Sequence, residues 1–356
     1  MENTRYDYIL VGQGIAGSVL ALSLHKQGKR VLVIDEPGLS SCSKVAAGVW
    51  NPIVFKRLNK SWMADELLPA AHQFYTWAEG IVDGSFHHVI PMVKFFTEQQ
   101  EINLWKKKLN EEEGIYLSKV FHSEFHPAFF QQTLCSSEVE KSGFLDTKLF
   151  LQKTRAFLSK NDMLLEETVD YSKLNVQADT EVSYKQIIAS KIVFCEGYKA
   201  LENPYFPKNA FKLTKGETCT IRVENLDVAK IVNKGVFIVP LGSNKYKVGA
   251  TYNWDNIDEN STSEGLVELT NKLNKLLCVP FEILTHEAGV RPTTVDRRPL
   301  IGEHSTHKSV LFFNGFGTKA VMLVPYWAQA FAENKLEDRP FYSECDIKRF
   351  FKAGNH

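Results

Sequence analysis

The stretch YILVGQGIAG, from Tyr8 to Gly17, decides the fold. Its first half is an apolar, partly β-branched run, and the VLALSLHKQG that follows the glycines has the apolar spacing of a helix that stops at Gly28. VLVID, ending at Asp35, has the composition of a second buried strand. This order of strand, glycine turn, helix and strand predicts an α/β, Rossmann-like dinucleotide-binding domain.

The glycines of this stretch fill the three positions of a GxGxxG motif, and each has a mechanical role. Gly12 makes the tight turn, Gly14 lets the backbone approach a pyrophosphate, and Gly17 lets the helix pack closely on the strand. Ile15 and Ala16 begin the helix, whose free backbone amides face the phosphates. We expect all five residues at the cofactor.

Two acidic residues and a small-residue stretch extend this predicted site. Asp35 stands where a carboxylate accepts hydrogen bonds from an adenosine ribose, and Glu36 is its rival for that role. SSCSKVAAGVWNP, from Ser40 to Pro52, either lies along an extended cofactor or is a plain small-residue loop. The fingerprint alone leaves NAD and FAD open. The candidate cofactor residues of this stretch are Ser43, Lys44, Ala46, Ala47 and Gly48.

Composition limits the possible functions. The 356 residues are 44% hydrophobic and contain 42 basic and 42 acidic side chains, so no overall charge favours nucleic acid or an anionic membrane as a partner. The six cysteines form no CxxC or Cys/His spacing, which argues against a metal site and a disulfide framework. The sequence has no signal peptide and no long uncharged apolar run, which predicts a cytoplasmic protein without a membrane span.

Further blocks follow in order along the chain. Together with the glycine fingerprint they resemble the D-amino-acid oxidase and glycine oxidase family of FAD-dependent oxidoreductases. The blocks are GFLDTKLFLQ (143–152), KIVFCEGYKA (191–200), LTKGETCTI (213–221), VFIVPLGSNKYKVGAT (236–251), GVRPTTVDRRPLIG (289–302) and NGFGTKAVMLVPYWAQAFAE (314–333).

The resemblance implies a FAD-binding domain that is interrupted by an α+β substrate domain on an antiparallel sheet. We expect the FAD-binding domain in residues 1–62, 140–212 and 286–356, and the substrate domain in residues 63–139 and 213–285. Local patterns agree with an inserted α+β domain. They predict a helix over Met63 to Glu79, a strand from about His87 to Phe96, and a hairpin turned by Gly242, Ser243 and Asn244.

The resemblance also implies FAD as the cofactor and the oxidation of a carbon–nitrogen bond. In this family hydride passes from the substrate carbon to flavin N5, and the imine produced is hydrolysed. Arg291 stands at the arginine of the family's glycine-x-arginine-proline motif, so it is expected to hold a substrate carboxylate through two hydrogen bonds. The alternative is that Arg291 pairs with an internal carboxylate or with turn carbonyls. No cysteine matches the family's covalent anchors, so the FAD is expected to be non-covalent.

The last glycine turn supplies further candidate contacts. Its backbone amides are expected to point at the flavin's pyrimidine edge, where Lys319 would add a full charge unless it is simply solvated. Ala320 replaces the family's last glycine. The cofactor candidates outside the amino-terminal region are Val169, Gly197, Arg291, Gly315, Phe316, Gly317, Thr318, Lys319 and Ala320.

Departures from the family bear on the substrate. Gly235 and Phe237 replace a histidine and a tyrosine of glycine oxidases, which predicts a wider and less polar pocket that Tyr246, Tyr252 or Trp254 can enter from the same hairpin. Trp50 lies near the end of the small-residue stretch and is either a pocket residue or part of the core. The candidate catalytic and substrate-contacting residues are Arg291, Lys319, Tyr252, Phe237 and Trp50.

Three functions are compatible with these residues. The leading one is a FAD-dependent oxidase or dehydrogenase of a small-molecule amino acid or secondary amine. The second is a relative of the flavin domain that acts on modified tRNA bases, against which the balanced charge argues. The third is a non-catalytic flavoprotein or a redox partner of another protein. The sequence leaves the substrate, its stereochemistry, the electron acceptor and the oligomeric state open.

Overall fold

The structure is a computed structural model and describes residues 5–36, 38, 41–177 and 181–351. Ser40, which opens the predicted small-residue stretch, lies outside the described residues. The strands are β1 (Arg5–Val11), β2 (Val31–Asp35), β3 (Val49–Trp50), β4 (Ile53–Val54), β5 (Asn59–Lys60), β6 (His87–Val89), β7 (Met92–Phe96), β8 (Cys135–Val139), β9 (Gly143–Leu145), β10 (Leu164–Glu166), β11 (Leu174–Gln177), β12 (Glu181–Tyr184), β13 (Ile187–Phe194), β14 (Thr214–Arg222), β15 (Ile231–Asn233), β16 (Phe237–Gly242), β17 (Lys245–Gly249), β18 (Glu282–Arg291), β19 (Leu300–Glu303) and β20 (Val310–Asn314).

The α-helices of the described residues include five that are longer than ten residues. The helices are α1 (Ile15–Lys26), α2 (Cys42–Val45), α3 (Ala64–Val82), α4 (Gln99–Lys108), α5 (Thr147–Lys160), α6 (Ser263–Asn274), α7 (Ala320–Ala332) and α8 (Tyr342–Cys345).

The first sheet has eight strands among the described residues and confirms the predicted Rossmann-like fold. Its main order is β10-β2-β1-β13-β12-β11, and β20 pairs with both β13 and β19. The pairs β1–β2, β1–β13, β2–β10 and β13–β20 are parallel. Ile9, Leu10 and Val11 of β1 are buried on both faces of the sheet, as is typical of central parallel strands.

Helices cover one face of the first sheet. α1 packs against α7, which also packs against α3, and α5 packs against both α1 and α3. α7 is apolar all round, with buried Val321, Leu323 and Trp327 on its different sides, so it can exist only inside the protein. This packing places the beginning of α7 beside the glycine turn that precedes α1.

The second sheet has seven strands among the described residues, in the order β18-β14-β17-β16-β15-β7-β8. β14 lies between β17 and β18 and is antiparallel to both. α6 packs against β14 through buried Leu269 and Leu273. The predicted hairpin is present as β16 and β17, with Ser243 and Asn244 in the left-handed region at the turn, φ 52° and 58°.

The two sheets draw on different parts of the chain. Every strand of the first sheet lies in a segment predicted for the FAD-binding domain, and β7, β8 and β14 to β17 lie in segments predicted for the substrate domain. The boundary placed between residues 285 and 286 falls inside β18, which pairs with β14 over its whole length. The predicted domain division therefore stays a prediction.

None of the described helices is both long and apolar enough to cross a membrane. No cluster of histidine, cysteine, aspartate and glutamate side chains in the described part of the chain could hold a metal ion.

Candidate active site

The glycine turn between β1 and α1 forms the floor of the site. Gly12 has φ +97°, and a Cβ on it would lie 2.8 Å from the carbonyl oxygen of Cys195. A Cβ on Gly17 would lie 1.9 Å from the carbonyl oxygen of Gly12, so no side chain fits there. α1 begins at Gly14 without a side-chain cap, which leaves backbone amides at its start for an anion. This cradle fits the pyrophosphate of a dinucleotide.

A cavity of about 330 Å³ opens above this turn and lies between the two sheets. The ends of β1, β2 and β13 border it from the first sheet, and β14, β16 and β18 border it from the second. The predicted site residues that line the cavity are Gly12, Gly14, Ile15, Ala16, Asp35, Glu36, Ser43, Ala46, Ala47, Gly48, Val169, Gly197, Phe237, Tyr252, Arg291, Phe316, Gly317, Thr318 and Ala320.

The other predicted residues lie beside the cavity and not on its wall. Gly17 packs against the turn, and Gly315 packs against Thr294 and Leu300. Lys44 belongs to α2, whose neighbour Ser43 faces the cavity and accepts a hydrogen bond from the amide of Ile15 at 3.2 Å. Lys319 and Trp50 are described below.

Asp35 and Glu36 both line the cavity at the end of β2. One carboxylate oxygen of Asp35 accepts a hydrogen bond from the amide of Gln13 at 2.8 Å, and the other pairs with Arg155 at 2.7 Å. Arg155 also pairs with Glu166 at 2.6 Å. These contacts fix Asp35 against the glycine turn, and the choice between Asp35 and Glu36 as the ribose ligand stays a prediction.

Glu196 is a cavity residue that sequence reasoning did not assign to the site. It directly precedes Gly197 in the block 191–200, where the family usually has an alanine, and this departure from the family is its one sequence signal. Its carboxyl contacts the hydroxyl of Tyr171 and accepts a hydrogen bond from Asn203 at 2.8 Å. Burial raises the pKa of Glu196 to about 7, against the opposing effect of these hydrogen bonds.

Other cavity residues could not be predicted from the sequence, except that they lie close in the chain to predicted site residues. Among them are Cys42 and Cys195, and burial raises the pKa of both thiols above its usual range. A thiol that stays protonated is a weak nucleophile. The remaining wall residues that the sequence did not single out include Glu167, Thr168, Tyr171, Tyr198, Thr218, Gly249, Ala250, Val290 and Asn314.

Arg291 ends β18 and reaches the cavity from the second sheet. Its Nη1 donates to the carbonyl oxygens of Lys215 and Thr251, and its Nη2 donates to that of Thr251, each at 3.3 Å. No carboxylate of the described residues lies within 4 Å of the guanidinium, so neutral groups orient the charge without cancelling it. These carbonyls belong to β14 and to the segment after β17 and not to the turn that follows Arg291, and the contact of Arg291 with substrate stays a prediction.

Gly216, Tyr252 and Phe237 complete the surroundings of this guanidinium. Cζ of Arg291 lies 4.5 Å from the ring centre of Tyr252, in cation–π contact. On the strand side Arg291 lies against Gly216, where a Cβ would be 1.8 Å from Nη2. Phe237, at the start of β16, presents an apolar ring to the same cavity. The result is a fixed positive charge with aromatic neighbours.

Lys319 is half-buried and does not line the cavity, although its neighbours Thr318 and Ala320 do. Its Nζ donates to the hydroxyl of Ser61 at 2.8 Å. Burial lowers the pKa of Lys319 to about 8. The lysine is therefore not the solvated side chain of the alternative interpretation, and its charge lies behind the turn that precedes α7.

Trp50 belongs to the core and does not line the cavity. Its indole lies against Gly143, where a Cβ would be 2.5 Å from the ring, and its ring centre is 5.7 Å from that of His87. The structure thus brings Arg291, Tyr252 and Phe237 together and leaves Trp50 and Lys319 outside that group.

Comparison with known proteins bears on this arrangement. The DAO family, described as FAD dependent oxidoreductase, matches residues 7–334. The chain belongs to this family. FAD is therefore the cofactor, and the resemblance to the D-amino-acid oxidase and glycine oxidase family is confirmed. The glycine cradle as its binding site stays a prediction.

Glycine oxidases are among the relatives of this DAO protein. The glycine oxidase of Bacillus subtilis (strain 168) is 22% identical over 343 residues, which cover 90% of each chain. The crystal structure of glycine oxidase from Geobacillus kaustophilus superposes with a TM-score of 0.79 at 20% identity, covering 99% of this chain and 100% of that one.

A second kind of relative is named for tRNA modification. The tRNA 5-methylaminomethyl-2-thiouridine biosynthesis bifunctional protein of Leptospira borgpetersenii serovar Hardjo-bovis (strain JB197) is 24% identical over 318 residues. The match covers 82% of this chain and 47% of that protein, so the chain spans about half of the length of this relative.

Proposed function

We propose that this DAO-family oxidoreductase oxidises the carbon–nitrogen bond of a small amino acid or secondary amine. Bound FAD supplies the hydride acceptor, N5 of the flavin ring, and water hydrolyses the imine product. The chain's own residues bind and orient the substrate and exclude water from it. We assign the contact with the substrate carboxylate to Arg291.

The unneutralised charge of Arg291 carries this proposal. The guanidinium has five N–H donors, and the contacts to Lys215 and Thr251 use three of them. The remaining donors can form charge-assisted hydrogen bonds with a carboxylate, which fixes the orientation of the α-carbon as well as its distance. Because the site is partly buried, this attraction is stronger than it would be in water.

The other predicted residues support the substrate in different ways. Phe237 and Tyr252 are proposed to form the apolar walls beside Arg291, because both rings line the cavity. Neither Lys319 nor Trp50 lines the cavity, so both are proposed to act indirectly. Lys319 adds positive charge behind the turn before α7. Trp50 packs in the core and supports the small-residue stretch to which it belongs.

Anaerobic bleaching of the bound flavin tests the proposal directly. The panel contains D-amino acids, glycine, sarcosine, proline and simple amines without a carboxylate. We expect a carboxylated amine to bleach the flavin and Arg291→Ala to lower its kcat/KM at least ~100-fold, because two charge-assisted hydrogen bonds are lost. Arg297→Ala is the matched control, because Arg297 is an exposed arginine of the same stretch.

Two results would contradict the proposal. Equal bleaching by Arg291→Ala and the unchanged protein would remove the assigned role of Arg291. A tightly held flavin that no amine of the panel reduces would favour a non-catalytic flavoprotein or a redox partner.

A second candidate function, action on a modified tRNA base, rests on the Leptospira relative. The equal numbers of basic and acidic residues weigh against it, because tRNA binding needs a basic face. Retention of the protein on immobilised tRNA at low and at moderate salt separates the two candidates. Binding that persists at moderate salt, together with no bleaching by free amines, would favour the tRNA candidate.

A further inference from the structure

Two buried charges anchor the segment that follows β17. Lys215 of β14 is 1% exposed, and its Nζ pairs with Asp258 at 2.6 Å. Glu217, two residues along the same strand, accepts hydrogen bonds from the amide of Thr262 at 2.9 Å and from its hydroxyl at 2.8 Å. The segment 251–262, which we call the outer loop, is thus held at its far end by ionic and charge-assisted bonds to one strand.

The near end of the outer loop is fixed to the same strand by backbone contacts. The amide of Lys215 donates to the carbonyl of Asn253 at 2.9 Å, and the amide of Asn253 donates back at 3.0 Å. The amide of Glu217 donates to the hydroxyl of Thr251 at 2.9 Å. The Thr251 carbonyl in turn orients Arg291. The outer loop and the guanidinium therefore share one rigid support.

The outer loop carries an exposed aromatic pair directly over Arg291. Tyr252 lines the cavity yet is 53% exposed, which places its ring at the cavity mouth. Trp254 is 59% exposed, and its ring is stacked on that of Tyr252 with centroids 6.1 Å apart and planes at 24°. Exposed aromatic surface therefore runs from Tyr252 at the cavity mouth onto Trp254, which lies outside the cavity wall. Large aromatic rings exposed side by side are a common mark of a binding site.

We propose that Tyr252 and Trp254 form an aromatic subsite that receives an aromatic ring carried by the amino-acid substrate. This inference rests on the proposed function, because Arg291 must hold the substrate carboxylate beneath the rings. The ring can be attached to the amine nitrogen or to the α-carbon of the substrate. Lys215 and Glu217 are positioning residues, since they act through the outer loop.

The geometry favours a substrate ring over a separate partner. Tyr252 lines the cavity and contacts the cation proposed to bind the carboxylate, and Trp254 is stacked on Tyr252 outside the cavity. A ring two or three bonds from the α-carbon of a substrate held by Arg291 would reach this pair. Stacking on two aromatic rings, together with removal of apolar surface from water, should raise kcat/KM about tenfold or more.

The test compares anaerobic flavin reduction of the FAD-loaded protein by matched pairs of amino acids. N-benzylglycine against sarcosine tests a ring on nitrogen, and phenylalanine against alanine, each as both enantiomers, tests a ring on the α-carbon. We expect at least one aromatic member to exceed its partner about tenfold in kcat/KM. Trp254→Ala should reduce that ratio to about one, and Trp254→Phe should restore most of it.

A binding measurement adds a readout that does not depend on turnover. The Kd of phenylacetate, read from the visible flavin spectrum, should be about tenfold lower than that of acetate, and Trp254→Ala should remove the difference. Val267→Ala is the matched control, because Val267 is an exposed apolar residue on α6, outside the outer loop. Its ratios should match those of the unchanged protein.

The outcomes separate the two proposals. If sarcosine or alanine reduces the flavin and both aromatic ratios are one or lower, the aromatic subsite is refuted and the proposed function stands. If no amino acid reduces the flavin, the proposed function fails and the subsite fails with it. If the ratio is high but unchanged in Trp254→Ala, the ring binds elsewhere and the subsite is likewise refuted.

Discussion

Gly216→Ala is a sharp test of whether the position of Arg291, and not merely its charge, governs substrate binding. A Cβ at residue 216 would lie 1.8 Å from Nη2, 2.1 Å from Cζ and 2.5 Å from Nη1 of Arg291. Ordinary contacts begin at about 3.4 Å, so the guanidinium must shift by about 1.6 Å, the difference between 3.4 and 1.8 Å. The obstructing atoms are the end of a flexible side chain, and alanine suits a strand at least as well as glycine, so the fold should persist.

The expected effect of Gly216→Ala is a selective loss of catalysis. A displacement of about 1 Å at a substrate-positioning group can cost ~100-fold in rate. Loss of two charge-assisted hydrogen bonds, about 3 kcal/mol at the lower end of their range, gives a similar factor. We therefore expect kcat/KM for a carboxylated amine to fall about 100-fold, while the FAD content and the melting temperature change little.

Stopped-flow bleaching of the flavin under anaerobic conditions measures this loss. Gly80→Ala is the matched control, because a Cβ on Gly80 would meet no atom within 4 Å. In an Arg291→Ala background Gly216→Ala should have no further effect, since the two changes remove one interaction. Full activity of Gly216→Ala with FAD bound, or additive losses in the double variant, would refute the assigned role of Arg291.

Four further predictions follow from the site and its supports. Gly17→Ala should give protein without bound FAD, because its Cβ would lie 1.9 Å from the backbone oxygen of Gly12; a normal visible flavin spectrum would contradict this. Burial raises the pKa of Glu196 from its usual 4.5 to about 7 in the folded protein. The folded state therefore binds more protons than the unfolded state between these pH values and loses stability as pH rises. Without flavin, the melting temperature of Glu196→Gln relative to that of the unchanged protein should therefore increase from pH 5 to pH 7.5. A difference in melting temperature that does not change with pH would contradict the raised pKa. Asp146→Ala removes the side-chain cap of α5, whose carboxylate accepts a hydrogen bond from the amide of Leu149 at 3.0 Å. The free energy of unfolding should fall by about 1 kcal/mol, and an unchanged thermal unfolding curve would contradict the role of the cap. Acid precipitation should leave the flavin in the supernatant, whereas flavin in the pellet would indicate a covalent bond.

The cofactor half of the site was readable from the sequence because its requirements are local. The turn at Gly12 and the close approach at Gly17 can be made only by glycine, and both residues lie within one short stretch. β2 ends at the predicted Asp35, and the helix cap at Asp146 is also a contact between residues a few positions apart. A motif of this kind determines the local backbone geometry without help from distant parts of the chain.

The substrate half was only partly readable, because its contacts join distant parts of the chain. The motif located Arg291, but its support by Gly216 and by the carbonyl of Thr251 depends on the pairing of β14 with β18. The direction of Lys319 depends on the short 3₁₀ helix Gly317–Lys319, which turns its side chain toward Ser61. Neither the support of Arg291 nor the direction of Lys319 follows from a motif with fixed spacing, so a single sequence does not predict them.

The way Arg291 is held gives the proposed site a fixed positive charge in a protein whose acidic and basic residues balance. A carboxylate partner would orient the guanidinium equally well, but it would cancel the charge and leave little attraction for a substrate. Carbonyl oxygens orient the guanidinium with partial charges only, and the face of Tyr252 adds attraction without neutralising it. Because Gly216 has no side chain, the guanidinium can lie flat on the strand that supplies one of these carbonyls. The fixed charge at this site is therefore a property of the second sheet and the outer loop together, and it is present before any substrate arrives.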